Sequence, residues 1–198
     1  MTWTEKVSMR LAKRLKTEEV PHSLGKLAHG IEIFLLNAIN LAALIVCSLL
    51  LHLFAETMLL FFLFYFHRLF SSGAHLRSPW TCLGATLALM LGGGFLLKHL
   101  PVLPAPYAQL LVLIGTGISF GINFRHAPAE HTYVPHDPAV QRRSRSIVLW
   151  LIGVGCFLSI SLVGYNYHIS MTYTLAVLLQ SVLLLPSSYR LLSRLAKS

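Results

Sequence analysis

The feature that most constrains this chain is the length and spacing of its apolar runs. Hydrophobic sequence is gathered into blocks at Ile31–Phe54, Thr57–Phe66, Leu83–Leu97, Leu110–Phe120, Ile147–Gly164 and Met171–Leu185. The hydrocarbon core of a bilayer takes about 20 apolar residues per helix, with roughly 17–25 tolerated. Six blocks of that order use up most of the 198 residues and leave little for a separate soluble domain. The composition agrees, because only 12% of residues are charged, against about 25% in soluble domains. The expected fold is an all-α membrane protein with about six transmembrane helices. One polytopic domain is expected over residues 1–198, with its transmembrane region at 31–186. The first block is too long for the apolar region of a secretory signal, and no small-residue cleavage pattern closes it. It reads as a retained helix.

The basic residues fix an orientation. Of the 16 Lys and Arg, Lys6, Arg10, Lys13, Arg14, Lys16 and Lys26 precede the first block. Arg68 and Arg77 lie between the second and third, Arg125, Arg142, Arg143 and Arg145 between the fourth and fifth, and Arg190, Arg194 and Lys197 after the sixth. The opposite-side connections hold Lys98 alone. By the positive-inside rule this alternation places both termini and the segment between Arg68 and Trp80 in the cytoplasm. It also accounts for the net charge of +9 without invoking nucleic acid as a partner.

Residues 1–20 read as an amphipathic helix. Trp3, Val7, Leu11 and Leu15 recur every four positions among basic residues, which suits the surface of an anionic leaflet, and Pro21 ends it. A solvated, positive-inside leader is the alternative. Residues Arg125–Arg145 form the longest polar stretch and read as a cytoplasmic loop. Its His126, His131 and His136 repeat every five residues, a spacing that matches neither one helix face nor a familiar ligand set, so no metal or other cofactor is expected. Gly92, Gly93 and Gly94 sit in apolar sequence and point to close helix packing or a kink.

The chemistry concentrates between Arg68 and Cys82. Ser78-Pro79 is a helix-start signal, a capping hydroxyl followed by Pro at the first helical position. Cys82 then falls in the first turn or just beyond. The positive end of the helix dipole favours a thiolate there, and the unpaired amides of that turn can receive an oxyanion. Cys47 and Cys156 lie within apolar blocks, where a thiol is ordinarily a small packing residue. His75 precedes Cys82 by seven residues. On one continuous helix that is about 10.5 Å, too far for a hydrogen bond, but Gly73 and Pro79 break the segment and let it fold back. A Cys–His dyad results, with the imidazole as the base that activates the thiol. Arg68 and Arg77 add positive potential suited to an acidic substrate. On these residues alone a solvated His75 and a packing Cys82 stay open as the alternative.

The segment resembles the signature of the accessory gene regulator B family of membrane endopeptidases, in which an Arg, a small-residue turn, a His and then a Cys follow one another. Arg68, Ser72-Gly73, His75 and Cys82 match it, although the family often has Gly-Gly where this chain has Ser72-Gly73. Gly30-Ile31-Glu32 at the start of the first block and Ala127-Pro128-Ala129-Glu130 in the later loop agree with it too. The resemblance implies Cys82 and His75 as catalytic residues. Arg68, Gly73, Ser72, Arg77, Glu32 and Glu130 would bind substrate or support the site. It further implies a quorum-sensing propeptide as substrate, a thioester on Cys82, release of a thiolactone or lactone ring, a homodimer, and a bacterial plasma membrane with the site facing the cytoplasm. The competing expectation is a transporter or a non-enzymatic membrane scaffold.

Overall fold

The computed structural model describes residues 3–16, 23–71, 79–128, 138–188 and 190. Among them the order is α1 (Trp3–Leu15), α2 (Leu24–Leu50), α3 (Phe54–Ser71), α4 (Pro79–His99), α5 (Ala105–His126), α6 (Pro138–Leu162) and α7 (Tyr167–Val182). The protein is therefore an all-α membrane protein, in which α2 to α6 are long and apolar enough to cross a bilayer. The sixth apolar block folds as α7, whose 16 residues make it shorter than the other five. The chain forms two compact units, residues 1–47 and 48–198, taken here in turn.

In the first unit, α1 buries the side that carries Thr4, Ser8 and Ala12. These lie four residues apart and so share one helix face. Trp3, Leu11 and Leu15 stay exposed, which leaves the expected apolar stripe outward. The Thr4 hydroxyl donates to Glu32 Oε1 at 3.0 Å and ties α1 to α2. Helix α2 starts at Leu24, well before the apolar block that announced it, because Ser23 caps it. Its Oγ accepts from the Lys26 amide at 3.4 Å.

In the second unit, α3 extends beyond its apolar block at both ends. The chain turns into it through His52, at φ 55°, with the Leu53 amide bonded to the Ser48 carbonyl at 2.8 Å. That bond closes a Schellman-type end, with His at the left-handed position that glycine usually takes. The polar stretch expected as a loop from Arg125 to Arg145 is helical at both of its described ends. Helix α5 continues to His126 before Pro128 stops it, and α6 begins at Pro138, where a first-turn proline costs no hydrogen bond.

Helix α7 is the pillar of this unit, packed by α3, α5 and α6 and, at its margin, by α4. It has no purely apolar face. Ser170, Thr172, Thr174, Gln180 and Ser181 are all buried on it. Most of these hydroxyls return a bond to the carbonyl four residues earlier, as Thr174 does to Ser170 and Ser181 to Val177. Others cross to neighbours. Ser170 Oγ donates to the Ser159 carbonyl at 2.9 Å, and Tyr173 Oη donates to the Leu151 carbonyl at 2.9 Å. Small residues bring the backbones close. Gly155 faces the Tyr173 ring, and Gly115 faces Thr174 and Leu178. With no hydrophobic drive between helices in lipid, such close contacts and hydrogen bonds are what hold a bundle together.

The side-chain bonds also sort the two ends of this unit. Lys98 Nζ donates to the His52 carbonyl at 2.6 Å, and Tyr167 Oη donates to the Pro101 carbonyl at 3.0 Å. The connections after α2, α4 and α6 therefore gather at one end. At the other end, Ser71 meets Gln180, Asn123 meets Ser181, and Arg145 Nε donates to the Ala127 carbonyl at 2.7 Å. That end carries the C-termini of α3, α5 and α7 together with Arg68, Arg125 and Arg145. Within this unit, α3 to α7 run alternately up and down, in line with the alternation of basic residues.

Candidate functional site

Helix α4 spans Pro79–His99, so Cys82 is its fourth described residue, while the Ser78 cap expected from the Ser-Pro pair lies outside the described residues. Its thiol is free and half-buried. Trp80, two residues earlier, is 79% exposed and gives the approach to this turn an aromatic, apolar surface. The first turn of a helix presents the positive end of the backbone dipole. A thiolate or an oxyanion near Cys82 thus meets positive rather than negative backbone charge.

Arg68 occupies the last turn of α3, where a cation suits the negative end of the helix dipole. It is half-buried, with its guanidinium carbon 5.8 Å from the centre of the Phe64 ring. Stacking on that ring holds the charge at the rim of the bundle, at the end where α4 starts. Glu32 lies in the first unit, where it accepts the Thr4 hydroxyl. Ser72, Gly73, His75, Arg77 and Glu130 lie outside the described residues, as does Ser78. The other two thiols sit elsewhere. Cys47 is within α2, and Cys156 accepts a hydrogen bond from Thr116 Oγ1 at 3.0 Å in the interior of the α5–α6 contact. Of the three spaced histidines, His126 closes α5 and the other two are outside the described residues. No group of three His, Cys, Asp or Glu side chains could hold a metal among the described residues.

One constellation was not foreseen. His67, Ser71, Asn123, Gln180 and Ser181 are all buried near the Arg68 end. Gln180 Nε2 donates to Ser71 Oγ at 2.6 Å, and Ser71 Oγ donates to the His67 carbonyl at 2.9 Å. The His67 ring packs edge-on to Tyr173, with centroids 5.5 Å apart. Asn123 Nδ2 donates both to Ser181 Oγ at 2.7 Å and to the Ser119 carbonyl at 2.8 Å. The available signal was an amide inside an otherwise apolar run, since Gln180 interrupts the leucines of the last block.

Fold and site together define a multi-pass helical membrane protein with a free thiol on the first turn of a spanning helix, at its arginine-bearing end. The chain belongs to the accessory gene regulator B family, whose model matches residues 4–184 and so nearly its whole length. It is accordingly a membrane protein that acts in the processing of a quorum-sensing peptide. No significant match was found among curated proteins or solved structures.

Proposed function

We propose that this protein is a membrane-embedded cysteine endopeptidase that cuts a signalling propeptide and closes the product into a ring. The observation that carries this reading is the free, half-buried Cys82 on the first turn of α4. His75 takes the Cys82 proton, and the thiolate attacks the carbonyl of the scissile bond. The positive end of the α4 dipole stabilises the oxyanion. The C–N bond then breaks, His75 returns the proton to the departing amine, and the acidic C-terminal tail leaves. The peptide stays bound to Cys82 as a thioester. An internal thiol of the peptide attacks that thioester and restores the Cys82 thiol, giving a thiolactone, or a lactone where the peptide supplies a serine hydroxyl. Arg68, stacked on Phe64, orients His75 or holds the carboxylates of the tail, together with Arg77. Ser72 and Gly73 support the site between Arg68 and His75, and Glu130 assists binding. The Thr4 bond to Glu32 supports a tether between α1 and α2 for that residue. The enzyme acts as a homodimer in the bacterial plasma membrane, with the site on the cytoplasmic face.

A transporter would place ionisable or unwound elements along a path through the bundle. Here the described spanning helices run unbroken, and most hydroxyls of α7 are taken up by backbone carbonyls, which favours the enzyme.

Ring closure requires a thioester that survives until the peptide's own nucleophile arrives, so water must be kept from it. The test uses a propeptide whose ring-forming residue is replaced by Ala. Tail release is expected about once per active site, as for a trapped acyl-enzyme, with the peptide attached to Cys82 through a hydroxylamine-labile bond visible in the intact-protein mass. Cys82→Ser should show no such thioester. Many turnovers giving linear, hydrolysed peptide without an adduct would make the protein an ordinary protease and end the cyclase half of the proposal.

A further inference from the structure

We infer that Gln180 and Ser71 are positioning residues for the reaction, bracing the end of α3 from which the chain runs on to His75. The inference rests on the Cys82–His75 reading proposed above. Ser71 is the last residue of α3, four residues before His75 in sequence. It is fully buried, and Gln180 is 1% exposed. Burying an amide in an apolar run is costly unless its groups are bonded, and a leucine at position 180 would fill similar space without that cost. What the amide adds is direction. Its Nε2 reaches across from α7 to the Ser71 hydroxyl at 2.6 Å, and that hydroxyl is itself oriented by donating to the His67 carbonyl. The last turn of a helix has carbonyls without intrahelical partners and frays readily. A buried bond to Ser71 holds that turn of α3 against α7.

The brace is anchored as well as attached. The neighbour of Gln180, Ser181, accepts from Asn123 Nδ2 at 2.7 Å, which ties the same turn of α7 to α5. The line Asn123–Ser181, Gln180–Ser71 thus runs from α5 through α7 to the root of the segment that carries the base. Its catalytic weight follows from geometry, because a misplacement of about 1 Å can cost on the order of a hundredfold in rate.

The test measures alkylation of Cys82 by neutral iodoacetamide in the full-length, membrane-inserted protein carrying Cys47→Ala and Cys156→Ala. The rate is taken near neutral pH and again well above the ordinary thiol pKa of roughly 8.5, and the ratio reports activation of the thiol by its base. His75→Ala should lower the ratio about tenfold, as expected when a partner that favours the thiolate is removed. Gln180→Leu and Ser71→Ala should each lower it several-fold and reduce kcat about tenfold with KM little changed. The double variant should be no worse than the more affected single one, as expected for two ends of one bond. Ser170→Ala cuts a buried bond of the same kind elsewhere on α7 and should leave the ratio alone. Should Gln180→Leu fail to insert, the Ser71→Ala result decides. A ratio that falls in His75→Ala but stays at the wild-type value in Gln180→Leu and Ser71→Ala would overturn the brace and leave the dyad standing. A ratio unmoved by His75→Ala would overturn the dyad, and the brace with it.

Discussion

Helix α4 is held in different ways at its two ends. Toward Lys98, Gly93 lies against Leu60 and Gly94 lies against Thr57 of α3, with Met90 and Leu97 buried alongside. Toward Cys82, Gly84 has open space where a side chain would be, and Trp80 stands out from the bundle. The two ends of the second unit are bonded differently. Its Lys98 end is closed by short connections that are bonded to one another, Lys98 to His52 and Tyr167 to Pro101. Its Arg68 end is tied instead between helices, Gln180 to Ser71 and Asn123 to Ser181. On α4, one end is packed to hold the helix, and the other leaves a half-buried thiol beside an exposed tryptophan. An enzyme that must admit a peptide and keep its fold has reason to separate those tasks along one helix.

The largest expected effect tests whether the Cys82 end alone carries the chemistry. Cys82→Ala and His75→Ala should each reduce propeptide cleavage by about a thousandfold or more, the scale of losing a nucleophile or its base, while the protein still inserts. Cys47→Ala and Cys156→Ala should retain most of the activity, because neither thiol lies at that end. Appearance of the cut tail on a denaturing gel checks all four. Full activity in Cys82→Ala would end the cysteine-peptidase proposal.

The next prediction concerns which face each end meets. A single Cys replacing Arg142, at the start of α6, should resist a membrane-impermeant maleimide added outside intact cells. A Cys replacing His99 should label readily. Both side chains are exposed in the fold, so access rather than burial decides the outcome. Labelling of position 142 from outside would reverse the orientation drawn from the positive-inside asymmetry.

Packing gives a smaller and more local contrast on α4 itself. Gly94→Ala forces a methyl group onto Thr57 and should destabilise by about 1–3 kcal/mol, as overpacking usually does. Gly84→Ala meets nothing and should be neutral or stabilising by up to about 1 kcal/mol through helix propensity. Thermal unfolding of the two purified variants in one detergent compares them directly. Equal loss in both would mean that the Cys82 end is packed as tightly as the other.

The sequence made parts of this contrast legible and hid others. Block lengths disclosed where the spanning helices lie, because a bilayer demands long apolar runs. The three glycines announced a close approach of helices. Helix α7 was harder to read. Its serines and threonines pay for burial by bonding to their own backbone, so nothing in their spacing separates a central helix from one facing lipid. The Gln180–Ser71 bond joins residues 109 positions apart, and no local pattern records such a pairing. The extent of α5 and α6 was missed for a related reason. Arg125, Arg142, Arg143 and Arg145 look like loop composition, yet long basic side chains at helix ends can reach the aqueous boundary while their backbone stays helical.

The smallest effect is expected from α1, and it asks whether the arginine-bearing end has help in meeting its substrate. Helix α1 keeps Trp3, Leu11 and Leu15 exposed while burying Thr4, Ser8 and Ala12. Its outward face therefore joins an apolar stripe to Lys6, Arg10, Lys13 and Arg14, a combination suited to an anionic leaflet. Each such basic residue contributes up to about 1 kcal/mol near a negatively charged surface. A propeptide that is itself amphipathic would be concentrated on the same surface. Deleting residues 2–16 should leave insertion intact, because α2 has its own Ser23 cap and 27 residues of mostly apolar helix. Processing in vesicles containing anionic lipid should fall several-fold, and in purely zwitterionic vesicles, where the basic residues have nothing to bind, it should fall less. Thr4→Val removes the bond to Glu32 while sparing the outward face, so it separates a tether from a membrane contact. If Thr4→Val reproduces the whole loss, α1 acts through its hold on α2. If the deletion changes nothing at normal expression, its lysines and arginines serve orientation alone.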